Sequence, residues 1–152
     1  MNIEIAREEY LTLMELIYIA EWVIHGFKTE IPSESEKYLE LVQKLYVYAK
    51  RFGFEELVEY DEGEKRYSIS KEFEDTCPCL RYIEDFSDDS FWFELTGRLA
   101  ERDLINQVGE NSARSMSIEE LFEKEGSLWE TYADEFESNG LENLSVQTRS
   151  TS

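Results

Sequence analysis

The sequence holds one histidine, two cysteines and two prolines in 152 residues, and sets only 15 Lys and Arg against 35 Asp and Glu. Each scarcity removes a class of function. The single His25, with no Glu-x-x-His motif, lacks the paired motifs from which dimetal carboxylate bundles draw their ligands. Cys77 and Cys79, separated by Pro78, give no disulfide framework of the secreted kind. With one distant histidine they also fall short of the four ligands of a closed zinc site. A structural or incidental thiol role is therefore expected ahead of a redox one. No metal or cofactor is expected. Gly-rich nucleotide loops, metalloprotease His pairs and Gly-x-Ser-x-Gly elbows are also absent.

Long apolar runs are missing too. The longest, Leu16 to Ala20, stops at Glu21, and the first residues lack the basic stretch and cleavage pattern of a signal peptide. The expectation is a cytoplasmic protein with no membrane segment. Its net charge of -20 is spread along the chain, with 18 acids against 9 bases through Asp75 and 17 against 6 after it. Such a field opposes nonspecific binding to nucleic acid or to an anionic membrane and leaves basic proteins as the favoured partners.

Large apolar groups are plentiful, with nine Phe, nine Tyr and three Trp, so the chain has the material for a core. Their spacing is mostly helical. Tyr10, Leu13, Met14, Ile17, Val23 and Ile24 mark a helix from Ala6 to His25, with Gly26 as a left-handed terminator. A second helix is expected after Ser33, with Glu36 completing a capping box, a stripe running to Phe52, and Gly53 ending it. Ser87 offers an N-cap to a later helix that begins with Asp88 and Asp89 and holds Gly97 for close packing. Asn106 to Ser115 looks like a loop. Ser117 and Glu120 form a capping box for a last helix, either continuous or broken at Gly126-Ser127, that carries Leu128, Trp129, Tyr132 and Phe136.

Alternation replaces helical period only between Leu57 and Ile69. It suggests a short β-hairpin around Asp61-Glu62-Gly63-Glu64, the competing reading being a helix through Glu55 to Tyr60 and then a loop. The fold expected is mainly α: a compact bundle of four or five helices with room for one short hairpin near residues 57–69. Residues 1–140 form a single domain in this reading, and residues 141–152 a flexible tail.

Candidate chemistry is thin. Glu21 and His25 are four residues apart on one helix face and form the best available acid-base pair, each with a simpler role in a solvated or capped helix. Glu8, Glu15, Glu36, Glu40, Asp88 and Asp89 could be paired carboxylates through abundance alone. Glu119, Glu120, Glu123, Asp134, Glu135 and Glu137 are the candidates for an acidic interaction surface, which a DNA-like band of carboxylates would sharpen. The leading expectation is a non-catalytic intracellular protein-interaction or regulatory domain that binds a basic partner. The alternatives are a small acid-base enzyme using Glu21 and His25, and a structural homo-oligomer built on the apolar face of the first helix.

Overall fold

The computed structural model describes residues 3–145. Among these the protein is mainly α-helical with one two-stranded hairpin: α1 (Arg7–His25), α2 (Glu36–Tyr46), β1 (Val58–Asp61), β2 (Arg66–Ile69), α3 (Lys71–Thr76), α4 (Leu80–Val108), α5 (Glu110–Ser115) and α6 (Ile118–Asn139). The chain divides into two compact units at the Asp85–Phe86 junction, through which α4 runs without a break. Of the expected tail, residues 146–152 lie outside the described residues, and residues 141–145 are exposed, beginning in a turn in which Asn143 donates to Glu135.

In the first unit the core gathers Tyr10, Met14, Val42, Tyr46, Ala49, Phe54 and Phe73. Helix α1 supplies Tyr10 and Met14, one turn apart on its inward face, and Tyr10 stacks on Phe52 with centroids 4.2 Å apart. Arg7 lies over the Phe54 ring and donates to the carbonyls of Phe52 and Gly53, which ties the start of α1 to the turn at Gly53. Gly53 sits at φ 74, where a Cβ would be penalised.

The hairpin forms because four alternating residues on each side meet around a turn that Asp61 organises. Val58 pairs with Ile69 and Tyr60 with Tyr67, while the Asp61 carboxylate accepts from the backbone N–H groups of Gly63 and Glu64. Those N–H donors hold the Asp61 carboxyl below its usual range. An isolated hairpin would be marginal. Here the Gln43 amide accepts from Tyr67 N–H and donates to Tyr67 C=O, which fastens β2 to α2.

Several boundaries differ from the sequence reading. Gly26 is right-handed, at φ -54, and what requires glycine is space, since an added Cβ would meet the Trp22 carbonyl oxygen at 2.5 Å. No Ser33–Glu36 capping box forms, because Ser33–Ser35 is a 3-10 turn and α2 begins at Glu36. Helix α2 ends at Tyr46 rather than Phe52, and the remaining stripe folds into a 3-10 turn, Ala49–Phe52. Ser87 lies inside α4, which starts at Leu80, so local capping propensity yields to helix continuity. Gly97 has open space where its Cβ would stand and serves no close packing. The expected loop over Asn106 to Ser115 is the end of α4, a bend at Gly109 with φ 82, and α5. Finally, Cys77 and Cys79 are joined to each other by a disulfide, with Cα atoms 5.2 Å apart.

In the second unit α6 is continuous through Gly126-Ser127 and opens with the expected capping box. Ser117 Oγ accepts from Glu120 N–H, and Glu120 accepts from Ser117 N–H, each at 3.2 Å. Replacing Ser117 by Ala should cost about 1 kcal/mol in urea unfolding, because one orphan helix donor loses its partner. A loss below a few tenths would show that the start of α6 is held by packing alone. Trp92 and Phe136 bring α4 and α6 together, their rings 5.5 Å apart, and the Tyr132 hydroxyl donates to Asp103. Arg102 also bonds both of these groups. Its guanidinium and the Tyr132 hydroxyl hold the Asp103 carboxyl below its usual range, while the bond to Asp103 pushes the Tyr132 phenol up.

Candidate functional site

Two places collect functional side chains, one in each unit. In the first unit a cleft of about 710 Å³ holds both sequence candidates, Glu21 and His25, along with Tyr18, Lys28, Arg66 and Tyr67. Each candidate already has an internal partner. Tyr46, 1% exposed, donates its hydroxyl to Glu21 Oε2 at 2.7 Å. His25 Nε2 lies 3.0 Å from Ser35 Oγ, and Ser35 Oγ is 2.8 Å from the Pro32 carbonyl.

The direction of the second chain follows from chemistry. A carbonyl only accepts, so the single Ser35 hydroxyl proton goes to Pro32, and His25 Nε2–H must donate to Ser35. His25 is then no base for Ser35, and the pair is not a nucleophile and its activator. Burial, followed by the nearby Glu21 carboxylate, raises the Tyr46 phenol well above the ordinary tyrosine range, so it holds its proton instead of transferring it. The geometry gives Glu21 and His25 a supporting role: each fastens α1 to a buried neighbour. Among the described residues no three His, Cys, Asp or Glu side chains converge as metal ligands would.

The same tyrosines set an alkaline limit. Burial pushes Tyr10 up to about 12 and raises Tyr46 and Tyr18, with Glu74 adding to the rise at Tyr18. An unfolded phenol ionises near pH ~10, before these do. Their contribution to stability is therefore complete below pH ~10 and is lost as pH rises toward the folded values. Urea midpoints should be level from about pH 8 to 9 and fall above about 10, less steeply in Tyr46→Phe. Identical slopes for Tyr46→Phe and the parent chain would contradict this.

The second place is a surface. Helix α6 packs Phe136 against Trp92 of α4 and leaves the same apolar arc open toward its N-terminal end. At about 3.6 residues per turn, Ile118, Phe122, Trp129 and Ala133 fall within about 60° of one another. Ile118 is 86% and Phe122 81% exposed. The adjoining arc, again about 60° wide, carries Glu119, Glu123, Glu130, Asp134 and Glu137, all exposed. Helix α4 completes the apolar line with Phe93, 66% exposed, whose ring centroid is 6.3 Å from that of Trp129. Between the helices Trp92, Phe93, Trp129, Ala133 and Phe136 line a groove of about 370 Å³, with Asp89 and Glu137 at its polar edge.

The six carboxylates expected to form an acidic surface thus divide. Glu119, Glu123, Asp134 and Glu137 share the stripe. Glu120 is committed to the helix cap, and Glu135, half-buried on another arc, accepts from Asn139 and Asn143. Glu130 belongs with the first four and was missed, although its spacing of seven residues from Glu123 and from Glu137 is visible in the sequence. From Phe86 to Ser145 the basic residues are Arg98, Arg102, Arg114 and Lys124, and the three arginines pair with Glu94, Asp103 and Glu110. Comparison with known proteins adds no relative: no protein-family model, no curated protein and no solved structure matches the chain. No helix among the described residues is long and apolar enough to cross a membrane.

Proposed function

We propose that the protein is a non-catalytic, cytoplasmic protein-interaction domain whose α4–α6 face binds a basic amphipathic helix of a partner protein. The observation that carries this reading is the side-by-side arrangement on α6 of an exposed aromatic line and an exposed carboxylate stripe. The aromatic groove takes the apolar side of the incoming helix, in the manner of helix-in-groove recognition. The stripe and Asp89 meet its Lys and Arg residues, steering approach and fixing orientation. Carboxylates alone would serve a nucleic-acid mimic equally well. The exposed Ile118, Phe122 and Phe93 beside them favour a partner with apolar side chains of its own.

Isothermal titration with a synthetic Leu/Lys amphipathic helix tests this. Saturable binding that weakens as salt rises is expected, with no binding of the Leu/Glu counterpart. Equal binding of both peptides, or of neither, would refute the reading.

Self-association is a second reading, favoured by the exposure of Leu16, Ala20 and Val23 along α1. It predicts a mass in sedimentation that rises with concentration and with salt, as screening relieves repulsion between like-charged copies.

A further inference from the structure

The disulfide between Cys77 and Cys79 encloses a single intervening residue, Pro78. A cross-link stabilises a fold mainly by restricting the unfolded chain, and the restriction grows with the length of the enclosed loop. A ring this small restricts almost nothing, so the bond is poorly explained as a staple. Its position is better explained by its chemistry. Cys77 closes the C-terminus of α3, its N–H donating to the Phe73 carbonyl. Cys79 opens α4, its carbonyl accepting from Tyr82 N–H and Ile83 N–H. The two cysteines are unequal: Cys77 is 8% exposed and Cys79 2%.

We propose that Cys77 and Cys79 form a reversible thiol–disulfide couple, opened by a dithiol reductant that attacks at Cys77 and releases Cys79. In the first step a reductant thiolate bonds to Cys77 Sγ, the Cys77–Cys79 bond breaks, and its electron pair leaves on Cys79 Sγ. That sulfur sits at the N-terminus of a 29-residue helix, where the positive end of the peptide dipoles favours a thiolate leaving group. In the second step the other thiolate of the reductant attacks its own sulfur in the mixed disulfide. The Cys77 thiolate departs, and Cys79 N–H, 3.2 Å from that sulfur in the closed ring, is placed to donate to it. Both thiolates can then take up protons from water. The reductant becomes a cyclic disulfide and the protein a dithiol, a transfer of two electrons.

Opening the ring frees the backbone from Cys77 to Leu80, the joint between α3 and α4. The couple shares no residue with the α4–α6 face, so the two proposals are tested separately.

The test uses the full folded chain. Glutathione is added with N-ethylmaleimide as the trap, and the adducts are mapped by mass spectrometry. Glutathione should appear on Cys77 and maleimide on Cys79, with a bias of about tenfold over the reverse pattern. Reduction by dithiothreitol should be first order in reductant and level across urea concentrations below the unfolding transition. Amide exchange should then accelerate in residues 77–83 and not in the hairpin. An even distribution of adducts, reduction that follows the global unfolding rate, or a chain in which diamide cannot form the bond would each overturn the proposal.

Discussion

Replacing Tyr46 by Ala should destabilise the first unit by about 3–5 kcal/mol, the range for deleting a large buried ring. Tyr46 is 1% exposed among Tyr10, Met14 and the other residues of that core, so little solvent can enter the space left behind. Its ring and its hydroxyl separate cleanly. Tyr46→Phe keeps the packing and removes only the bond to Glu21 Oε2, for about 1–2 kcal/mol, because Glu21 is half-exposed and water compensates in part. Glu21→Gln should cost no more than Tyr46→Phe, and the double variant should cost less than the two together. Urea unfolding monitored by the near-ultraviolet signal reads all four. Additive losses would mean that the hydroxyl and the carboxylate do not act as a pair. The supporting role assigned to Glu21 would then fail, and the acid-base reading of the cleft would regain its place.

Replacing Trp129 by Ala should weaken binding of the basic amphipathic helix by about thirtyfold, equivalent to ~2 kcal/mol, with no comparable loss of stability. Trp129 sits beside Phe93 at the middle of the aromatic line, where an incoming side chain would exclude the most water. It is 36% exposed in the free protein, so truncation removes less core packing than the same change at Phe136, which is buried. Charge reversal on the neighbouring arc acts through a different term. Glu130→Lys with Asp134→Lys should slow association and flatten the salt dependence, whereas Trp129→Ala should speed dissociation. A Trp129→Ala variant that binds as tightly as the parent would remove the groove from the interface. Melting of that variant would show instead that the ring belongs to the core.

The helices were legible wherever one arc was both apolar and buried. Tyr10 and Met14 in α1 and Ser117 with Glu120 in α6 are local signals, and the structure keeps both. The hairpin was legible because alternation and the Asp61 turn coincide. What decides it is the Gln43 amide, 24 residues from Tyr67 and invisible to any local pattern. Boundaries failed where continuity overrode a good cap, as at Ser87, and where a stripe changed pitch, as at Ala49–Phe52.

The acidic face was half legible. Spacing places Glu119, Glu123, Glu130, Asp134 and Glu137 together, but abundance hides them among Glu120 and Glu135, whose hydrogen bonds take them out of the set. The sequence places Trp129 with Leu128, Tyr132, Ala133 and Phe136 in one stripe. Spacing alone does not show where along the helix α4 covers that stripe, which is buried at Phe136 and open at Phe122. The disulfide was missed because a spacing of two residues suits no framework, although it brings the two Cα atoms to 5.2 Å, within reach of a bond.

The α4–α6 face is tested most directly by amide and indole chemical shifts recorded while the Leu/Lys helix is titrated into the folded protein. The largest changes are expected at Phe93, Phe122, the Trp129 indole N–H, Glu130 and Asp134, saturating together with one dissociation constant and retreating as salt is added. Changes confined to the cleft of Glu21 and His25, or scattered in proportion to surface charge without saturation, would contradict the account.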